Sequence, residues 1–178
     1  LSDINKVATL AFKDSGEAII VIGETLGWLG ASLYLQEIEQ REEGAPPSVD
    51  LAAERRNGDL VRRLISDDLI TASHDVSDGG LLVAIAEMAL AGHVGAALQP
   101  PAGDVPLHAW LFGEDQARYL VACNFDQAEA LMIAAGHANI PIVSIGRFSG
   151  ENVKFGNLEA PLADLRKLYT ESFAEMVI

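Results

Sequence analysis

Two glycine-rich junctions constrain the fold of this chain more than any other feature. Gly23-Glu-Thr-Leu-Gly-Trp-Leu-Gly30 follows the β-branched run Glu17–Ile22, and His74-Asp-Val-Ser-Asp-Gly-Gly80 follows Leu69–His74 and precedes an apolar stripe beginning at Leu81. Apolar runs this short read as strands, and glycines clustered at their ends turn the chain sharply. A strand that turns at once into a helix lays that helix on its own sheet. The expected fold class is therefore α/β: a layered sandwich in which a mixed β-sheet is packed by helices.

The other elements follow from the same patterns. Leu81, Leu82, Ile85, Met88 and Ala89 space an inner face along a helix from Leu81 to Ala91, ended by Gly92. Asp50 is an N-cap for a helix reaching about Ile65, with Leu51, Leu60, Val61 and Leu64 inward and Gly58 as a weak point. Leu33, Leu35 and Ile38 give Ser32–Gln40 helical spacing, broken by Gly44–Pro47. Strands are expected near Val94–Leu98 and at Arg118–Cys123, with a helix at Asp126–His137 and a loop at Pro100–Pro106. Ile140–Phe148 and Asn152–Phe155 read as a hairpin around Ser149-Gly150. Pro161 suits the first turn of a closing helix that reaches Met176. With no repeat or internal linker, residues 1–178 are expected to form one domain.

Composition narrows the function. The 178 residues carry 26 Asp and Glu against 12 Lys and Arg, a formal net charge of −14. Such a surface repels nucleic-acid backbones and anionic membrane lipids, so neither is an expected partner. No apolar run approaches the ~18 residues of a membrane span. The single cysteine, Cys123, allows no intrachain disulfide and lies among apolar neighbours, as an inert core residue does. The opening Leu-Ser-Asp lacks an initiator Met and a signal pattern and reads as the interior of a longer protein.

Three segments could carry chemistry. In Gly23–Ser32, glycines would let backbone N–H groups turn toward an anion, although neither a Walker nor a Rossmann pattern is present. A tight structural turn is the alternative. In His74–Gly80, Asp75 and Asp78 flank Ser77 and could hold Mg²⁺ through oxygen, while Gly79 and Gly80 would admit a phosphate to the next helix. Helix capping by Ser77 or Asp78 is the compatible alternative, and His74 reads as orienting or packing. In Leu111–Tyr119, the consecutive Glu114, Asp115 and Gln116 either meet a ligand or form a solvated turn. His93, His108 and His137 lack metal-ligand spacing.

Taken together, these three segments resemble the last domain of the phosphoribosylformylglycinamidine synthase family. The wider superfamily includes aminoimidazole ribonucleotide synthetase, selenophosphate synthetase, thiamine-monophosphate kinase and a hydrogenase-maturation protein. The resemblance covers nearly the whole chain, and His74-Asp-Val-Ser-Asp-Gly-Gly80 is its most specific part. It implies the second of two C-terminal domain copies in a cytoplasmic ligase of purine synthesis. That ligase converts formylglycinamide ribonucleotide, ATP and glutamine-derived ammonia to the amidine, ADP and phosphate. Implied partners are the remaining synthase domains, a glutaminase and a small ancillary subunit. By the same resemblance, Asp75 contacts Mg²⁺-nucleotide, and Glu114, Asp115 and Gln116 form a substrate-facing loop. Gly27, Gly30, Ser32, Ser77, Asp78, Gly79 and Gly80 form phosphate-facing turns for ATP or ADP. Second copies often face an auxiliary nucleotide, and the family's general catalytic residues lie in other domains. The alternatives are a small-molecule kinase of the same superfamily and a structural module without ligand.

Overall fold

The computed structural model describes residues 3–99 and 102–176. Its centre is β1 (Ala18–Ile22), in which all five residues are buried. A strand covered on both faces needs a continuous apolar run rather than an alternating one, which is what Ala18–Ile22 supplies. Ile19 and Val21 point into one core, and Ala18, Ile20 and Ile22 into another.

Six further strands complete the sheet: β2 (Ala72–Asp75), β3 (Ala96–Leu98), β4 (Tyr119–Cys123), β5 (Ile142–Phe148), β6 (Asn152–Phe155) and β7 (Leu158–Pro161). Their order is β2-β4-β1-β5-β3-β6-β7, antiparallel throughout except for the parallel β3–β6 pair. The helices are α1 (Leu51–Ser66), α2 (Gly80–Gly92), α3 (Leu107–Phe112), α4 (Ala128–His137) and α5 (Leu162–Met176). Residues of α2, α3 and the start of α5 build the core on one face, and α1 and α4 cover the other. The expected mixed sheet between helices is what forms.

Most elements lie where the sequence puts them. Leu81, Ile85, Met88 and Ala89 are buried along α2, and the Asp50 carboxylate caps α1 by accepting from the N–H groups of Ala52 and Ala53. Cys123 is buried, and desolvation pushes its thiol pKa up to about 11.

Five expectations need correction. Leu51 is not on the inner face of α1 but 76% exposed, because it precedes Leu60 by two and a half turns and so points the opposite way. Ser32–Gln40 holds only one π-helical turn, Tyr34–Ile38, with Leu33 and Ile38 exposed. The short helix α3 was not expected; it follows the loop beginning at Pro100, of which residues 100 and 101 lie outside the described set. β5 and β6 are not a hairpin, since β3 lies between them, Ala96 pairing with both Phe148 and Val153. The Ser149–Glu151 link arches over the end of β3 and bonds Gly95 in both directions. A Cβ at Gly95 would sit 2.3 Å from the Asn152 carbonyl oxygen, so only glycine permits the crossing. Finally, Pro161 ends β7 rather than opening α5. β7 is an edge strand, where a missing N–H costs no ladder bond.

Candidate functional site

The three segments singled out in the sequence meet at one end of the sheet. β1 delivers Gly23–Ser32, β2 delivers Asp75–Gly80, and the turn between α3 and β4 delivers Gly113–Arg118. The junction needs Gly80 at the start of α2. Its φ is +72°, and a Cβ there would stand 2.7 Å from the backbone of Phe112 and Gly113.

Two carboxylates fasten this junction. Asp115, 5% exposed, accepts from three successive backbone N–H groups: Leu26 at 3.1 Å, Gly27 at 2.9 Å and Trp28 at 3.0 Å. Glu114 Oε1 accepts from Gly79 N at 2.8 Å and from Leu33 N at 2.9 Å. The chain thus supplies its own anions to the N–H groups of Leu26, Gly27, Trp28 and Gly79. The Asp115 carboxylate is thereby spent inside the junction, whereas Glu114 is half-buried, bonding within the junction through Oε1 and also lining the solvent-facing cleft. Behind them lies Arg118, its side chain fully buried, 3.7 Å from Asp115. Desolvation holds the Arg118 pKa below the usual arginine value, while Asp115 and Glu114 pull it back up.

A third attachment went unread in the sequence. Glu54 on α1 accepts from Ala117 N at 2.8 Å, and Asn57 Nδ2 donates to the Ala117 carbonyl at 2.7 Å. Together they clamp Ala117 at a φ of +59°. A signal existed: Asn57 shares the buried stripe of α1 with Leu60 and Leu64, and a polar residue at a core position needs a partner. Glu87 was missed too. Its carboxylate lies 2.8 Å from His74 Nε2, while His74 Nδ1 is 3.4 Å from Asp75 Oδ1. His74 thus lies half-buried between Glu87 and Asp75.

What faces solvent is a cleft of ≈ 410 Å³ whose lining includes Asp75, Ser77, Asp78, Glu114, Gln116 and Tyr119. The Asp75 side chain is 74% exposed, and Ser77, Asp78 and Gln116 are also exposed. Burial, with the nearby charges of Glu54 and Asp75, raises the Tyr119 pKa. Ser32 is buried, its hydroxyl accepting from Leu35 N at 3.3 Å, and Gly30 packs near Ala45. Neither lines this cleft.

The oxygen-only donor set suits a hard cation such as Mg²⁺. Among the described residues no three His, Cys, Asp or Glu side chains converge on one metal position. Mg²⁺ is commonly held by one or two carboxylates, with waters and substrate phosphates completing its shell. Asp75, with Asp78 in the same cleft, fits that mode. Nor is any described helix long and apolar enough to cross a membrane.

Comparison with known proteins gives this geometry a family. Residues 14–157 match the family model of the AIR synthase related protein, C-terminal domain. Over 162 residues the chain is 52% identical to phosphoribosylformylglycinamidine synthase subunit PurL of Azorhizobium caulinodans, covering 91% of this chain and 22% of the relative. It is 57% identical to the PurL subunit of Rhodopseudomonas palustris strain BisB5, covering 86% and 21%. The chain thus spans about a fifth of the length of these relatives. Among solved structures, Thermotoga maritima PurL complexed with FGAR superposes with a TM-score of 0.77 at 19% identity, covering 91% of this chain and 30% of that one. E. coli HypE, a hydrogenase maturation protein, superposes with a TM-score of 0.61 at 19% identity, covering 87% and 52%. At such identities the superpositions speak for the fold alone. The match across residues 14–157, on a mixed sheet with the same layered packing, makes this chain a member of the AIR synthase related, C-terminal domain family.

Proposed function

We propose that this chain is a C-terminal domain of a phosphoribosylformylglycinamidine synthase and that its cleft presents Asp75 to a Mg²⁺-bound nucleotide. The observation that carries the reading is the 52% identity over 91% of the chain to a PurL subunit, with the three motif segments converging on one polar cleft. In the whole enzyme the reaction would be ATP-dependent amidine formation from formylglycinamide ribonucleotide and glutamine-derived ammonia. PurL structures complexed with ATP and with ADP exist for the Thermotoga maritima protein, and one for its PurLQS assembly. By analogy the partners of this domain are the remaining synthase domains, a glutaminase and a small ancillary subunit, in the cytoplasm.

The roles within this chain follow from exposure. Asp75 is the metal-facing carboxylate, held at the end of β2 beside His74. Ser77 and Asp78 offer an exposed hydroxyl and carboxylate at the start of α2, and Gln116 offers an amide across the cleft. Bound Mg²⁺ would offset the repulsion between nucleotide phosphates and this acidic cleft. The glycine-rich Gly23–Ser32 segment contributes by shape, since Asp115 holds the N–H groups of Leu26, Gly27 and Trp28.

Asp75→Asn tests the reading. It should leave the unliganded melting temperature unchanged and abolish thermal stabilisation by Mg-ADP. Equal stabilisation of both proteins would remove Asp75 from the site. The internal carboxylates at Asp115 and Glu114 favour a second reading, a wall without ligand. For that reading Mg-ADP would stabilise neither protein, even with the partner domains present.

A further inference from the structure

We propose that Arg56 and Arg63, on one flank of α1, form a separate recognition site for the phosphate group of a small molecule. The starting observation is electrostatic. This chain has more than twice as many carboxylates as cationic side chains, so an arginine on its surface should readily find a partner. Asp59 pairs with Arg62, and with Arg55 at 4.0 Å. Among the described residues, Arg56 and Arg63 form no ion pair. Asp59, between them in sequence and within reach of the Arg63 charge, is bonded to Arg62, and Asp50, near Arg56, gives its carboxylate to the N–H groups of Ala52 and Ala53.

Geometry places these two arginines on one furrow. Seven residues apart, they lie two turns along the same flank, roughly 10 Å in axial rise. They line a furrow of ≈ 480 Å³ between α1 and the end of α4, together with Asp59, Arg62 and Ser66 of α1 and with Ala138 and Ile140 along the other side. Arg56 also lines the adjoining hollow, which reaches past Asn139 to Gln116. The furrow therefore adjoins the cleft described above through this hollow, whose own lining includes Glu24, Asp50 and Asp115. A planar guanidinium matches phosphate oxygens with two parallel N–H donors, and an adjacent apolar wall reduces solvent screening. The negative net charge argues against a nucleic acid here and for a small phosphorylated molecule, able to reach a local basic furrow. The site is independent of the Asp75 assignment.

The test uses the 178-residue chain and NMR of the arginine side-chain N–H groups. Inorganic phosphate, ribose 5-phosphate and Mg-free ADP are titrated separately at constant ionic strength. Saturable shifts at Arg56 and Arg63 are expected, with the affinity ranking telling a sugar phosphate from a nucleotide as the source. Arg56→Gln with Arg63→Gln should weaken binding roughly tenfold or more, as loss of charge-assisted hydrogen bonds does. Arg55→Gln, on the outer face, should leave it unchanged. Equal shifts with chloride alone, or unaltered phosphate affinity in the double variant, would overturn the site. Failure of Asp75→Asn to alter Mg-ADP stabilisation would leave these readouts untouched.

Discussion

Asp115 shows how one side chain can replace a ligand. Its carboxylate satisfies three N–H groups 87 to 89 residues away in sequence and neutralises a fully buried arginine. Asp115→Ala would leave Arg118 without its counter-charge and three backbone donors without their acceptor. Breaking a buried charge pair from one side typically costs ~3–5 kcal/mol. Denaturant unfolding should therefore show a loss of that order, with Asp115→Asn in between because its amide oxygen still accepts. A loss under ~1 kcal/mol would mean that the glycine-rich segment is held by something else. Glu114 repeats the device at the start of α2, so the two carboxylates set the mutual position of all three motif segments before any ligand arrives.

At the scale of elements, α2 is the hinge between core and site. Its first residue packs against the α3–β4 turn, and its inner face fills the core. Ile85, with no solvent exposure, lies one turn beyond Leu81. Ile85→Ala should cost about 2–5 kcal/mol in equilibrium unfolding, as buried large-to-small changes do. The cleft end of α2 should then loosen along with the core, because the same helix carries both. A cost below ~1 kcal/mol would put the wrong face inward. The acidic cleft and the arginine furrow are likewise linked by α1, whose Glu54 and Asn57 grip Ala117 while Arg56 and Arg63 line its flank.

For the whole molecule, the proposed function makes the cleft one wall of a larger site. Exposed apolar residues at or near its rim, among them Leu26, Trp28, Leu33 and Val49, fit a surface that another domain covers. The 178-residue chain alone should fold, turn over no ATP and form no amidine, because half a cleft cannot hold reactants in attacking geometry. Its affinity for Mg-ADP should be in the ~millimolar range or weaker, since nothing on this wall holds the base and ribose. Steady-state phosphate release and isothermal titration check these outcomes. ATP turnover that Asp75→Asn abolishes would favour a kinase instead.

Sequence by itself determined the layered fold class, the α2 stripe, the Asp50 cap and the three segments that converge. Each of these is written locally, in periodicity, in a capping side chain or in clustered glycines. Tertiary structure alone decided that β3 separates β5 from β6, because strand neighbours depend on a crossing that Gly95 permits only once Asn152 is beside it. It also decided that Asp115 turns inward, Glu114 lies half-buried at the edge of the cleft and Asp75 stays exposed. A carboxylate reads the same in sequence whether it meets solvent, a ligand or a backbone N–H. Its direction is set by where unpaired donors lie, and these donors belong to loops delivered by β1 and β2, the strands that flank β4 in the sheet but lie far from it in sequence.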